Sequence, residues 1–99
     1  TNDELSVNKI KKAVCDFYGL TKTQIESKSR TKNIANARHI AVYLCRKHLD
    51  MPFAKIGLEF GNRDHSTIMS SYEKMVKLLK DKEQFQQALQ QIEKQLGIQ

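Results

Sequence analysis

The stretch MPFAKIGLEFGNRDHSTIMSSYEKM, residues 51–75, decides the fold. Asp50-Met51-Pro52 interrupts the helical pattern that precedes it, because proline is tolerated only in the first turn of a helix, so a new helix begins there. Phe53, Ile56 and Phe60 mark one apolar face of a short helix, and Gly61-Asn62, two residues that readily take positive φ, end it in a tight turn. Ile68, Met69, Tyr72, Met75, Val76 and Leu79 then recur at helical spacing from about Asp64 to Lys80, with Asp64 or Ser66 as the capping residue. A short helix, a Gly-containing turn and a longer amphipathic helix opened by small polar residues are the sequence form of a helix-turn-helix, here about 52–80.

Reading outward, Val7, Ile10, Val14 and Phe17 define a first helix capped by Ser6, stapled by Leu5 against Ile10 and ended by Gly19. Thr21 with Gln24 forms a capping box for a short second helix, stapled by Leu20 and Ile25. Ile34, Ala37, Ala41, Leu44 and His48 trace a long third helix ending near Leu49, widened by Ile40 and Cys45 and capped by Asn33. Beyond the central motif, Phe85, Leu89, Ile92 and Leu96 make a terminal amphipathic helix closed by Gly97, expected to pack on the core. No strand pattern, repeat or long linker competes, so the fold class is all-α: a compact bundle of about six helices in a single domain spanning 1–99.

The charge is unevenly spread. Seventeen Lys and Arg stand against eleven Asp and Glu for a net +6. Within residues 22–48, Lys22, Lys28, Arg30, Lys32, Arg38, Arg46 and Lys47 face Glu26 alone, so this stretch carries the whole surplus. Its centre, Lys28-Ser29-Arg30-Thr31-Lys32, lacks hydrophobic periodicity and reads as a basic loop, 28–32. Such a balance is that of a polyanion binder. The negative mean hydropathy and the absence of any run approaching ~18 apolar residues exclude a membrane span. Cys15 and Cys45 lie inside apolar-periodic stretches, which fits reduced core thiols in a cytosolic protein. Thr1 at the start and the lack of a signal peptide suggest a cytoplasmic fragment of a longer protein.

These features converge on double-stranded DNA. First-turn side chains of a helix in the major groove reach base edges: Asp64 can accept from a cytosine amino group, Thr67 can touch a thymine methyl, and His65 can donate or accept. The free N–H groups of that helix start, with Arg63 beside them, suit phosphate. An arginine in a basic loop, Arg30, suits a narrow A·T-rich minor groove. Blander roles cover the rest. The Cys45/His48 pair lacks the further ligands a zinc site needs, so no metal or cofactor is expected in the domain. Phe17, Tyr18, Phe60, Tyr72 and Phe85 read as core, and the lysines around Lys9-Lys11-Lys12 and Lys77-Lys80-Lys82 as solvated faces. Asp64-His65-Ser66 is no catalytic triad, because consecutive helical residues point apart, so the domain is expected not to be an enzyme. On this evidence a transcription regulator or transposase with another target remains open, as does a protein-interaction bundle.

The segment GNRDHSTIMSSYEKM, residues 61–75, resembles the signature of the C-terminal DNA-binding domain of the bacterial replication initiator family DnaA. The order of short helix, basic loop, AxxRHIAVYL helix, KIGLEFG helix and RDHST helix is similar from Val7 through Met75. The resemblance implies a Trp-repressor-like helix-turn-helix that binds DnaA boxes at the replication origin in the bacterial nucleoid. The ATP and ATPase chemistry of the full-length protein would lie outside this chain. It implies Arg30 as the minor-groove arginine and Asp64, His65, Ser66 and Thr67 as base readers. It further implies Lys28, Lys32, Arg38, Asn62, Arg63 and Lys74 at the DNA backbone, with Phe53 and Ala54 as additional contacts. Regulatory proteins that share this surface are a further class of partner. The chain departs from the family pattern at Asn62, where a second glycine is common, and at Ala54, where a proline is common. Asn36-Ala37 replaces Arg-Pro, and Ser66 replaces a threonine.

Overall fold

The computed structural model describes residues 5–29 and 31–98, arranged as α1 (Val7–Tyr18), α2 (Lys22–Glu26), α3 (Lys32–Leu49), α4 (Phe53–Glu59), α5 (His65–Asp81) and α6 (Glu83–Leu96). Among the described residues there is no strand, and the fold is all-α as the periodicity predicts. Local chemistry sets most of the ends. The Ser6 side chain accepts from the Lys9 N–H at 3.3 Å, and α1 ends on Gly19 at φ 69°. Thr21 and Gln24 form both arms of the capping box over α2, at 3.1 and 2.9 Å. α3 ends at Asp50, whose φ is 53°, with Arg46, Lys47 and His48 on the negative end of its dipole.

The cap of α3 differs from the expectation. Asn33 lies inside the helix, and Thr31 occupies the N-cap without a side-chain cap bond. The reason is local: the Ser29 hydroxyl donates to the Thr31 hydroxyl at 3.0 Å and also accepts from the Thr31 N–H at 3.2 Å, so Thr31 is tied back to the loop.

The hub is α3, which packs against α1, α2, α4 and α5, while α6 closes over α1 and α5. Ile10, Val14, Ile25, Ile40, Leu44, Ile56, Phe60, Ile68, Met75 and Ile92 are fully buried, so every helix contributes to one core. α6 buries Phe85, Ala88, Leu89 and Ile92, so its apolar stripe is used internally. Glu93 of α6, also buried, accepts from Lys47 at 3.2 Å and pairs with His48 Nε2 at 2.8 Å. Thus His48 ties α3 to α6. Burial pushes the Cys45 thiol up to about 12, keeping it an inert protonated core group. Phe17, read as core, is 43% exposed and sits edge-on to Tyr18.

One lysine read as solvated is not. Lys11 is 3% exposed: its ammonium pairs with Glu26 at 2.7 Å, donates to the Glu59 carbonyl and lies 4.8 Å from the Phe60 ring centroid. It pins the ends of α2 and α4 to α1.

The turn between α4 and α5 rests on close backbone approach. The Arg63 N–H donates to the Gly57 carbonyl at 2.9 Å, and a Cβ on Gly57 would stand 2.0 Å from the Arg63 carbonyl oxygen. Gly61 at φ 88° and Asn62 at φ 58° carry the chain round, and a Cβ on Gly61 would come 2.5 Å from the Glu26 carbonyl oxygen. Because backbone cannot swing aside as a side chain can, Gly57→Ala should cost at least ~1–3 kcal/mol of overpacking. Gly19→Ala, where nothing lies within 4 Å, should cost only the left-handed strain of about 1 kcal/mol. Urea unfolding of the two variants checks this, and equal costs would refute the steric account.

Candidate nucleic-acid interface

The start of α5 is fixed by the residue just before it. Asp64 is the N-cap: one carboxylate oxygen accepts from the Thr67 N–H at 3.0 Å, and the Asp64 carbonyl accepts from Ile68 N–H at 3.2 Å. Hydrogen bonds from the Thr67 side chain and backbone hold this carboxyl below its ordinary value of 3.8, so it is charged at neutral pH. A negative charge at the positive end of a 17-residue helix is favourable, which gives Asp64 a structural role beside any base contact. Ile68, Ser71 and Met75 turn inward, whereas His65, Ser66, Thr67, Met69 and Ser70 stay exposed. Met69, 38% exposed, puts one apolar group on that face.

A groove of about 590 Å³ runs between this helix start and the basic loop, with Lys28 and Ser29 on one wall and Asn62, Arg63, Asp64 and Thr67 on the other. Of the expected readers, Asp64 and Thr67 therefore meet the loop across one groove, whereas His65 and Ser66, though exposed, do not line it. Arg30 lies outside the described residues. A second hollow adjoins it, shaped by Lys32, Lys74 and Lys82, with His39 lying between the two. Lys82, read from sequence as part of a solvated face, thus joins two lysines from the expected backbone set.

Arg38 is placed differently from the free phosphate ligand expected of it. It is 8% exposed, and its guanidinium donates to the carbonyls of Ile25 at 3.1 Å, Ser27 at 2.7 Å and Ser29 at 3.3 Å. Burial and the nearby Arg63 lower its pKa. Arg63, half-buried, donates to the same Ser27 carbonyl. Lys28, Lys32, Asn62 and Lys74 are exposed as the backbone assignment requires. Phe53 is half-buried, edge-on to Tyr72 at 5.6 Å between centroids and beneath the Arg46 guanidinium at 4.9 Å, so it mainly packs, while Ala54 is exposed.

His39 and Ser71 carry no signal in the sequence, because both sit within helices read for their apolar stripes. The His39 Nδ1 lies 2.9 Å from the Ser71 hydroxyl at the floor of the groove. Burial, then the charges of Lys74 and Arg38, bring its pKa down to about 4 from 6.5. His39 is therefore neutral at pH 7 and adds no charge to the surface.

Among the described residues no His, Cys, Asp and Glu cluster could hold a metal, and no helix is long and apolar enough to cross a membrane. Ser71, the hydroxyl beside His39, is buried between the helices; what the groove presents is exposed polar side chains at a helix start beside lysines, an arrangement suited to binding an extended anion.

The low pKa of His39 has a sign that can be tested. Between 6.5 and about 4 the unfolded chain takes up a proton that the folded chain refuses, so stability falls as pH drops through that window. Urea unfolding at pH 7 and pH 5 should show a smaller loss for His39→Gln than for the unsubstituted domain. Equal losses would mean that His39 is not held neutral.

Residues 7–75 match the family described as the bacterial DnaA protein helix-turn-helix. The chain is also 38% identical over 95 residues to the chromosomal replication initiator protein DnaA of Spiroplasma citri, covering 96% of this chain and 21% of that protein. The chain thus spans about a fifth of the length of the curated relative it matches. The matched part is the family's non-catalytic helix-turn-helix domain. On the extent of this match and the helix-turn-helix geometry of α4 and α5, the chain belongs to the DnaA family, as its C-terminal helix-turn-helix domain.

Proposed function

We propose that this domain binds double-stranded DNA and selects DnaA boxes at a replication origin, delivering the remainder of a replication initiator to those sites in the bacterial nucleoid. The observation that carries the reading is the exposed start of α5, where His65, Ser66 and Thr67 follow a tight turn and where Asp64 and Thr67 line one groove with Lys28. α5 enters the major groove and its first-turn side chains read base edges. Arg30 reads the adjacent minor groove. Lys28, Lys32 and Lys74 bind phosphates and supply salt-sensitive affinity through counterion release. The domain needs no cofactor for this, and ATP is bound by other parts of the full-length protein. Regulatory proteins act on the same surface by competing with DNA.

Fluorescence anisotropy with a box duplex and a scrambled duplex, over a salt series, tests the reading. The domain should prefer the box. His65→Ala should cost about 1–3 kcal/mol on the box and little on the scrambled duplex. It is a cleaner probe than Asp64→Ala, which would also remove the helix cap. Lys28→Ala should weaken both duplexes and reduce the salt slope by about one. Equal, salt-steep binding to both duplexes would replace the box assignment with a helix-turn-helix of another target, and no binding at low salt would overturn DNA binding altogether.

A further inference from the structure

The two arginines at the groove do something that their charge alone does not explain. α2 has five residues, so its last carbonyls have no partners within the helix. The Arg38 fork spans three carbonyls from the last turn of α2 into the loop, those of Ile25, Ser27 and Ser29, and Arg63 reaches back from the α4–α5 turn to the middle one, Ser27. A carbonyl has two lone pairs and can accept from both. Ser27, the C-cap of α2, leads into the basic loop and Arg30, and Arg63 immediately precedes the cap of α5. The Ser27 carbonyl therefore joins the loop to the recognition helix through one shared acceptor. Gly61 brings the two backbones together directly, since its α-carbon leaves no room for a Cβ against the Glu26 carbonyl.

We propose that Arg38 and Arg63 are positioning residues: their guanidinium groups fix the separation between the basic loop and the start of α5, and so set which pair of base steps the two elements can read at once. This rests on the DNA-binding function proposed above. Affinity for any duplex comes from the exposed lysines, whereas discrimination between duplexes depends on this fixed spacing. A lysine preserves the charge but not the function, because an ammonium is a compact point donor that cannot span carbonyls from Ile25 to Ser29 as a planar fork does.

The test is Arg38→Lys, measured in two ways. In the free domain, hydrogen exchange should be faster at the amides of Ser29 and Thr31, which the loop now holds through hydroxyl contacts. On DNA, preference for the box over a scrambled duplex should fall about tenfold with the salt slope unchanged. A merely structural residue would lower binding to both duplexes together and leave their ratio intact, and a phosphate ligand would accept lysine with little loss. Either result would overturn the proposal. If Arg38→Lys does not fold, Arg63→Lys, at a half-buried site, gives the same readings. Should the unsubstituted domain show no box preference, the function proposed above fails, while the exchange rates still decide whether the arginines hold the loop: unchanged rates at Ser29 and Thr31 reject the clamp.

Discussion

A helix as short as α2 cannot sustain itself, since one turn gains few hydrogen bonds for the dihedrals it fixes. Its end exposes a run of carbonyls, and cations from three other elements converge on it. Arg38 comes from α3 and Arg63 from the turn before α5, both to backbone oxygen; Lys11 of α1 comes to the Glu26 side chain. Because Lys11 also donates to the Glu59 carbonyl at the end of α4, the same junction holds both arms of the helix-turn-helix entrance. The loop, the turn and the core are thus one connected arrangement, and the groove between α5 and the loop has its width because of it.

The turn itself imposes the complementary constraint. Cations can draw elements together only as far as sterics allow, and here the limiting contacts are backbone to backbone at Gly57 and Gly61. Attraction and close approach act at the same place: Gly61 lies against the Glu26 carbonyl and Arg63 bonds the next carbonyl along the chain, that of Ser27. A residue with a Cβ at Gly61 would push the turn away from α2 and lengthen the Arg63 contact, and one at Gly57 would push the Arg63 backbone off α4. Shape therefore fixes the geometry, and the arginines then lock it.

Much of this was legible in the sequence because it is local. Ser6, the Thr21/Gln24 box, Gly19, Pro52, Gly61-Asn62 and Asp64 each act on backbone within four residues, so their meaning survives without knowledge of the fold. The exposed first turn of α5 was legible for the same reason, as a polar start between a tight turn and an apolar stripe. What the sequence concealed is tertiary. Nothing distinguishes Lys11 from Lys9 or Lys12 until α2 and α4 close over it. Arg38 belongs to a basic stretch and counts there as surface charge, yet its neighbours in space are carbonyls that lie nine to thirteen residues earlier. Asn33 is a good cap by type, but the Ser29–Thr31 hydroxyl pair moves the helix start two residues toward the loop.

Net charge is therefore a poor count of the groups that meet a polyanion. Of the basic residues, Lys11 and Lys47 are paired with glutamates, Arg46 lies over Phe53 and donates to the Met51 carbonyl, and Arg38 and Arg63 bind loop carbonyls. Carbonyl partners do not cancel charge, so the arginines still add to the positive field over the groove and to long-range steering. They differ from Lys28, Lys32 and Lys74 in what they can do at contact: exposed ammoniums are free to replace counterions at phosphates, whereas the buried Arg38 guanidinium is committed to three backbone oxygens and Arg63 gives one of its donors to the same loop. Neutral His39 at the groove floor belongs to neither class, and it keeps a third cation from crowding Arg38 and Lys74. The same surplus of basic residues is thereby split between those that attract the ligand and those that hold the surface to which it is attracted.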